Sequence, residues 1–300
     1  MKKYIISLFI LLVFASSAYA GPVAFDGHAV VADLPEALLL IIFGCAVGLI
    51  GTLIGAGGGF IHVPVLMVFF GFSPQMAIGT SITAVFMNAL SGTLSYVTHK
   101  RIDYELGIKF ATVAVPGVII GAIISQNFTF TSFSILFSII LITLSLHFFA
   151  EQDITIVQTR ALESPKERQL YDSDGELHSY APDMGIGMAG SFFIGIFSGL
   201  FGIGGGILHV PLMCSVLGMP VHVVTATSHF ILAITSFIAV IIFTGMHEID
   251  FDFAVLIGIG AILGAYFGAY ISLKTSPRLI KVLIAICLLL LALKLISGVM

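Results

Sequence analysis

Long apolar segments alternate with short polar connections along most of the chain, and one polar stretch interrupts them near the middle. A helix of about 20 apolar residues is long enough to cross the hydrocarbon core of a bilayer. Five apolar segments precede the polar stretch and five follow it, at 36–54, 60–72, 75–98, 107–125, 131–150, 184–203, 207–218, 222–246, 252–273 and 278–297. The pattern predicts an all-α integral membrane protein with two sets of about five hydrophobic segments.

Composition supports a membrane location. Of 300 residues, 58% are hydrophobic and 9% are charged, whereas soluble domains contain about 25% charged residues. So few charges cannot cover a water-soluble surface, and the lipid bilayer is therefore the expected surrounding. No basic cluster favours nucleic acid binding. The three cysteines lie inside apolar segments without CxxC spacing, so we expect no metal site, and no motif indicates a cofactor.

The first twenty residues resemble a secretory signal peptide. Lys2 and Lys3 precede a short apolar run, and Ala18-Tyr19-Ala20 fits the small-x-small cleavage pattern. Cleavage would leave the mature N-terminus outside a bacterial-type inner membrane. The alternative for residues 1–20 is an uncleaved extra helix.

The polar stretch covers residues 151–183. It holds eight of the sixteen acidic residues and shows no apolar period, so we predict a solvated linker between the halves. The linker would separate a first membrane repeat at 36–150 from a second at 184–298, on the cytoplasmic side.

The two halves align without a gap when the sequence is shifted by 147 positions. Between 48–71 and 195–218, ten of 24 positions are identical. The matched stretches are Gly55–Pro64 with Gly202–Pro211, Thr80-Ser81 with Thr227-Ser228, and Ile102-Asp103 with Ile249-Asp250. Because polar residues and glycines match best, shared hydrophobicity does not explain the similarity, and the chain is a duplicated unit.

Basic residues change sides between the halves. Lys100-Arg101 follows the third segment of the first half, and its match in the second half is His247-Glu248. Conversely, Lys274, Arg278 and Lys281 surround a connection whose first-half match has no basic residue. Since lysine and arginine favour the cytoplasmic side, this swap predicts inverted repeats with an odd number of crossings each.

Glycine runs interrupt an apolar stretch in each half, at Gly57–Gly59 and Gly204–Gly206, and Pro64 and Pro211 follow them. Each glycine costs about 1 kcal/mol relative to alanine in a helix, so we predict a helix, a break and a short helix with proline in its first turn. Paired broken helices mark transport sites, and exposed N–H groups at a helix start suit an anion. The alternative is tight helix packing through small residues.

Polar side chains follow each glycine run. Thr80-Ser81 and Thr227-Ser228 are predicted to begin the next long helix, where their hydroxyls are candidate donors to an anion. The alternative is an N-cap or a back-bond to the preceding turn, and these roles can coexist. Protonated imidazoles at the matched His62 and His209 would bind an anion or couple it to a proton, unless both are hydrogen-bonded core residues. The candidate substrate-binding residues are Gly57, Gly58, Gly59, His62, Thr80, Ser81, Gly204, Gly205, Gly206, His209, Thr227 and Ser228.

Other polar residues carry less weight. His229 has Ile82 as its match, so any role there is asymmetric, and Asn88 and Gln75 are single polar positions. The matched Asp103 and Asp250 lie at segment edges and are predicted to be solvated or to cap helices. No acidic or basic residue lies in the middle of a core segment, so no intramembrane carboxylate is available for ion coupling.

The duplicated glycine and proline stretch, Gly55–Pro64 and Gly202–Pro211, with the Thr-Ser that follows, resembles the sulfite exporter TauE/SafE family of membrane permeases. The resemblance covers residues 36–298. It implies transport of sulfite, sulfonates or related small sulfur-containing anions.

We therefore expect a multi-pass transporter of a small anion with a site near the membrane midplane, and no enzyme. An anion channel and a non-transporting scaffold or assembly factor are the alternatives. An intramembrane enzyme would need clustered ligands or a nucleophile motif, and the chain has no HxxxH, HExxH or GxSxG. The sequence leaves the oligomeric state open.

Overall fold

The computed structural model describes residues 34–150, 168–173, 175–272 and 277–298, so the predicted signal peptide lies outside the described residues. The first half contains α1 Leu34–Ile54, α2 Gly59–Phe69, α3 Pro74–Thr98, α4 Tyr104–Ser125 and α5 Phe130–Ala150. A hairpin of β1 Arg168–Tyr171 and β2 Leu177–Tyr180 follows. The second half contains α6 Met184–Phe201, α7 Gly206–Pro211 with a π-helical turn at Leu212–Val216, α8 Val221–Gly245, α9 Phe251–Ser272 and α10 Pro277–Ser297.

Six of these helices, α1, α3, α4, α6, α8 and α9, are long and apolar enough to cross a membrane by length and composition. Large apolar side chains such as Leu94, Phe193 and Tyr266 are more than half exposed on their outer faces. Such surfaces require a lipid surrounding, because water-soluble monomers rarely expose contiguous apolar patches of this kind. The prediction of an all-α multi-pass membrane protein is confirmed.

Local sequence explains where the helices begin. Ser73 accepts a hydrogen bond from the Met76 amide and precedes a proline at the first position of α3, a favoured start. Asp183 accepts from the amides of Gly185 and Ile186 at the start of α6.

The backbone repeats itself with the same shift of 147 positions. Left-handed φ angles occur at four matched glycine pairs: Gly55 and Gly202 (84° and 66°), Gly57 and Gly204 (73° and 75°), Gly58 and Gly205 (86° and 77°), and Gly71 and Gly218 (67° and 66°). The matched residues Lys100 and His247, which are not glycine, share this conformation at 53° and 58°. The duplication seen in the sequence is therefore also present in the backbone.

Each half packs mainly on the other half. α1 lies against α9, and the matched helices α6 and α4 lie against each other in the same way. Contacts between α3 and α9 are likewise matched by contacts between α8 and α4. The contacts between the halves are therefore repeated when the two halves are exchanged.

The two central helices, α3 and α8, cross each other in antiparallel directions. The rings of Phe86 and Phe237 lie 5.4 Å apart, while Gly92, further along α3, contacts His229, which lies earlier on α8. This pair of matched helices therefore runs in opposite directions where the two cross.

The polar stretch contains structure that the sequence did not predict. Arg168 pairs with Tyr180 and Tyr171 with Leu177 in an antiparallel hairpin. Asp172 and Tyr180 are buried, and the Ser173 amide donates to the carbonyl oxygen of His99. This part of the predicted linker is thus packed on the α3–α4 connection, because its charged residues find partners there.

Candidate functional site

Each half contains the predicted broken helix. In the first half, α1 stops at Ile54 and α2 begins at Gly59, leaving Gly55–Gly58 as the first break. In the second half, α6 stops at Phe201 and α7 begins at Gly206, leaving Gly202–Gly205 as the second break. The left-handed φ angles at these glycines are ones that other residues rarely adopt, which explains why the helices stop here.

The prolines do not lie where the sequence predicted. Pro64 is the sixth residue of α2 and Pro211 is the last residue of α7, beyond the first turn in both cases. The short helices start directly after the last left-handed glycine, which places proline one turn later than expected. After Pro211 the chain continues as a π-helical turn, in which the Leu217 amide donates to the Leu212 carbonyl.

The tips of the two breaks meet at the centre of the molecule. A Cβ atom placed on Gly57 would lie 2.4 Å from Cδ2 of Leu232, and one on Gly204 would lie 2.7 Å from both Leu232 and Val85. Val85 and Leu232 are matched residues, each halfway along its 25-residue helix. Their side chains fill the space at the tips and close the centre of the protein in this structure.

The start of each short helix packs against the break of the other half. A Cβ atom on Gly59 would lie 2.5 Å from the carbonyl oxygen of Gly202, and one on Gly206 would lie 2.5 Å from that of Gly55. Small residues at these positions therefore allow the two backbones to touch. The glycines therefore break the helices, as predicted, and also allow close packing, which was the alternative explanation.

The serines of the two Thr-Ser pairs hold the breaks from across the molecule. Ser81 Oγ donates to the carbonyl oxygen of Gly202 at 3.1 Å. Ser228 Oγ donates to that of Gly55 at 2.8 Å. Both serines are fully buried, so each break is fixed by the long helix of the other half.

The threonines bind the connections of the other half. Thr80 Oγ1 accepts from the Asp250 amide and Thr227 Oγ1 accepts from the Asp103 amide, both at 3.0 Å. The hydroxyl protons are then available for another acceptor.

The prediction that the Thr-Ser pairs begin their helices is wrong. α3 and α8 begin at Pro74 and Val221, six residues before Thr80 and Thr227. Ser73 caps α3, because the proline that follows it already favours a helix start there.

The two matched histidines are buried beside the breaks. His62 has no hydrogen-bond partner for either ring nitrogen among the described residues, and its ring lies 5.5 Å from the ring of Phe43. His209 Nδ1 lies 3.1 Å from the carbonyl oxygen of Gly205, while its Nε2 has no partner among the residues described. Buried polar groups are nearly always paired, so these nitrogens are available to a bound substrate.

Ser198 is a candidate that the sequence analysis missed. Its hydroxyl is buried without a partner in the described part of the chain, and its Cβ lies 3.4 Å from the Cβ position of Gly205. Ser191, seven residues earlier on α6, is also buried and unpartnered within the described ranges. Their first-half matches are Gly51 and Gly44. The sequence signal that could have identified them is two serines, seven residues apart, on one face of an apolar helix.

Asn88 ties three helices together. Its side-chain amide donates to the carbonyl oxygens of Gly48 on α1 and Ala261 on α9, at 3.1 and 3.2 Å. Its carbonyl oxygen accepts from Thr52 Oγ1 at 3.3 Å. Asn88 was a single polar position of modest weight in the sequence, and these contacts assign it a structural role.

Gln75 also joins two elements. Its Nε2 donates to the carbonyl oxygens of Ser125 and Phe128 at the end of α4, at 3.2 and 2.8 Å.

The prediction that Asp103 and Asp250 cap helices is confirmed, since they accept hydrogen bonds from the Leu106 and Phe253 amides. The alternative that Asp103 is solvated is wrong. Asp103 is 5% exposed and accepts from Arg168 at 2.8 and 2.9 Å and from Tyr180 at 2.9 Å. The hairpin covers this carboxylate.

The hairpin contacts also shift two pKa values. A hydrogen bond to Glu105 and the charge of Asp103 raise the pKa of Arg168. Burial and the neighbouring Asp103 carboxylate raise the pKa of Tyr180, so the phenol stays protonated and donates. A surface pocket of about 350 Å³ is present here, lined by Ile102, Asp103, Tyr104, Glu105, Arg168, Gln169, Leu170 and Tyr180. None of the predicted substrate-binding residues lines it.

The hairpin also groups Asp172, Glu176 and His178, whose ligand atoms lie within 4.8 Å of one another. Asp172 already receives the Arg101 guanidinium at 3.0 Å. A metal ion would have to displace this positive charge, so the group is better explained as an ion-pair network.

Comparisons with known proteins give matches along most of the chain. The family model described as "Sulfite exporter TauE/SafE" matches residues 40–295. The chain is similar to the probable membrane transporter protein YunE of Bacillus subtilis, at 34% identity over 86% of this chain and 97% of that protein. It is also similar to a probable membrane transporter protein of Methanocaldococcus jannaschii, at 24% identity over 82% and 90%. No solved structure gives a significant match.

Proposed function

We propose that this chain, which belongs to the sulfite exporter TauE/SafE family of membrane transporters, carries a small sulfur-containing oxyanion or organosulfonate, such as sulfite, across a bacterial-type inner membrane. The observation that carries the proposal is the pair of matched breaks, which meet at the centre beside buried imidazole nitrogens that have no partner among the described residues.

The proposed site comprises the backbone of Gly57–Gly59 and Gly204–Gly206, the Thr-Ser hydroxyls, and His62 and His209. The first N–H groups of a helix have no partner within that helix, and glycine lets an anion approach them closely. The hydroxyl protons of Thr80 and Thr227 are free to donate once their oxygens accept the connection amides.

Transport requires the centre to open. Val85 and Leu232 close it here, so the substrate has to displace these side chains or the halves have to move apart on one side at a time. The serine and threonine bonds between the halves are matched. Equivalent contacts on both sides support a mechanism in which one half rocks against the other.

Inverted repeats are part of the proposal and are supported by the antiparallel contact of α3 and α8. Positive charge at Lys100 and Arg101 favours a cytoplasmic position for the α3–α4 connection and the hairpin packed on it. The α8–α9 connection would then face the opposite side.

Uptake into proteoliposomes tests the function. Sulfite, sulfate, thiosulfate, a short alkyl sulfonate and acetate are compared with and without a pH gradient. We expect saturable movement of one sulfur-containing anion and its loss in Gly205→Val. Gly218→Val is the matched control, because Gly218 has the same left-handed backbone but open space around it.

Other outcomes favour the alternatives. Flux that does not saturate indicates an anion channel. No flux of any of the five anions through folded wild-type protein indicates a scaffold or assembly role. Unchanged flux in Gly205→Val contradicts the site.

A further inference from the structure

The ring of His209 is held in one tautomer. Its Nδ1 lies 3.1 Å from the carbonyl oxygen of Gly205. A carbonyl oxygen can only accept a hydrogen bond, so Nδ1 carries a proton. In the neutral ring, Nε2 therefore carries no proton and can only accept a hydrogen bond through its lone pair. This buried atom has no partner among the described residues.

The elements packed around α7 offer no fixed positive charge. α6 has no ionisable residue, the π-helical turn has only Cys214, and α8 has His222 and His229. His229 Nδ1 lies 3.2 Å from the Thr225 carbonyl oxygen, so its Nε2 is also an acceptor when the ring is neutral. The first break, which contacts Gly206 and Val210, has no ionisable residue either.

The matched histidine of the first half differs in this respect. Neither ring nitrogen of His62 is bonded among the residues described, and the ring turns Cε1 toward the Cβ position of Gly58, 3.6 Å away. His209 instead turns Nδ1 toward Gly205, 3.5 Å away. Neutral His62 is therefore free to carry its proton on either nitrogen and to donate to an anion as it is.

We infer that an anion bound at the second break is accompanied by one proton, held on Nε2 of His209; the inference rests on the proposed function. A fully deprotonated oxyanion or a sulfonate group presents only acceptor atoms, which the Nε2 lone pair repels. Protonation turns Nε2 into a charged N–H donor, and charge-assisted hydrogen bonds are the stronger ones. The Ser198 hydroxyl beside Gly205 supplies a second donor.

The proton balance is simple. Nε2 takes a proton from the aqueous side at which the anion enters, and it returns the proton on the side at which the anion leaves. One proton then moves with each anion in the same direction. A pH gradient becomes a driving force, and His209 is a different kind of residue from His62 although the two are matched.

The tautomer is tested without any transport. Protein labelled with ¹⁵N-histidine is reconstituted in lipid and its histidine signals are recorded by solid-state NMR at neutral pH. His209→Gln identifies the His209 signal by its disappearance. We expect a neutral ring protonated at Nδ1, and a neutral ring protonated at Nε2 would overturn the inference.

Coupling is tested with sulfite in proteoliposomes under a gradient of one pH unit, acidic on the side of entry. One proton per anion raises accumulation about tenfold at equilibrium. In His209→Gln the side chain keeps an N–H donor but does not titrate, so the ratio of accumulation with the gradient to accumulation without it falls from about ten to about one. His222→Gln is the control, because this exposed histidine lies outside the proposed site, and it keeps the ratio of about ten.

Gradient-driven accumulation that persists in His209→Gln, or that is lost equally in His222→Gln, would overturn the inference. If sulfite does not move through wild-type protein, the same comparison is made with thiosulfate and the alkyl sulfonate. If none of them moves, the proposed function fails as a whole, whereas the NMR result still decides the state of His209.

Discussion

At Gly59 the two halves lie so close together that there is no room for even one methyl group. The helical backbone of Gly59 would accept alanine without strain, but the added Cβ would lie 2.5 Å from the carbonyl oxygen of Gly202 and 2.9 Å from Cα of Ile203. Both contacts are with backbone, which cannot turn away as a flexible side chain can. The space at Gly59 is therefore set by the contact between the short helix and the opposite break.

Gly59→Ala is expected to lower the thermal midpoint and to reduce transport strongly, because overpacking typically costs about 1–3 kcal/mol. Gly245→Ala is the matched control, since Gly245 is also helical and has no atom within 4 Å of its Cβ position. There the better helix propensity of alanine stabilises by up to about 1 kcal/mol. Thermal unfolding in detergent and uptake in proteoliposomes measure both effects; equal loss in the two variants would contradict this account.

Residue roles were predictable where the 147-residue shift matched polar positions, and less so where they depend on a tertiary partner. The shift selected the glycines and the Thr-Ser pairs, and the structure brings them together. It gave no indication that Ser81 donates to Gly202, since that partner lies 121 positions away. Ser198 was missed because its match is glycine, so the repeat did not select it.

At the scale of elements, the hairpin and the α3–α4 connection act as one unit. Arg168 donates to Asp103, which is buried, and to Glu105, whose side chain is 59% exposed. Tyr180 also donates to Asp103, whose amide donates to Thr227 of the candidate site. The hairpin is thus linked to the site through one aspartate.

Asp103→Asn is expected to release the hairpin, because it removes the buried one of the two carboxylates that pair with Arg168. The expected cost is about 1–3 kcal/mol. Glu105→Gln is the control, because exposed ion pairs contribute little. Hydrogen exchange of residues 168–180 should rise in the first variant and stay unchanged in the second. The same protection in both variants would show that Asp103 does not hold the hairpin.

Most elements follow directly from the apolar pattern, since each predicted segment contains a helix of the structure. The hairpin does not, because four-residue strands in an acidic stretch carry no apolar period. Its stability comes from the partners of Arg168, Asp172 and Tyr180, which local sequence does not reveal. The π-helical turn after Pro211 was also not predicted, since the matched Pro64 lies inside a regular helix.

At the scale of the whole molecule, matched contacts and antiparallel central helices imply that each half has an equivalent partner surface on the other. Exchanging the halves leaves the breaks in place and exchanges the α3–α4 connection with the α8–α9 connection. The polar side chains, however, are not the same in the two halves. His229, Ser198 and Asn88 are matched by Ile82, Gly51 and Thr235. Matched backbone contacts suit a transporter that opens to either side of the membrane. The unmatched polar side chains suit binding of the substrate in a single orientation.

Cysteine accessibility decides the orientation of the halves. Cysteines are introduced singly at Lys100 and at His247 in a background in which the native Cys45, Cys214 and Cys287 are replaced by alanine. The two positions are matched, exposed and share a left-handed backbone, so any strain is the same in both. With inverted repeats, a membrane-impermeant maleimide added to intact cells labels His247→Cys, and it labels Lys100→Cys only after permeabilisation.

Gln169→Cys on the hairpin is the control for sidedness, because the hairpin is bonded to the α3–α4 connection through Ser173 and His99. It should be labelled under the same conditions as Lys100→Cys. Labelling of Lys100→Cys and His247→Cys from the same side would mean that the two halves are not inverted in the membrane. Equivalent contacts could then not alternate between the two sides, and the rocking mechanism would fail, even though the breaks would still meet at the centre.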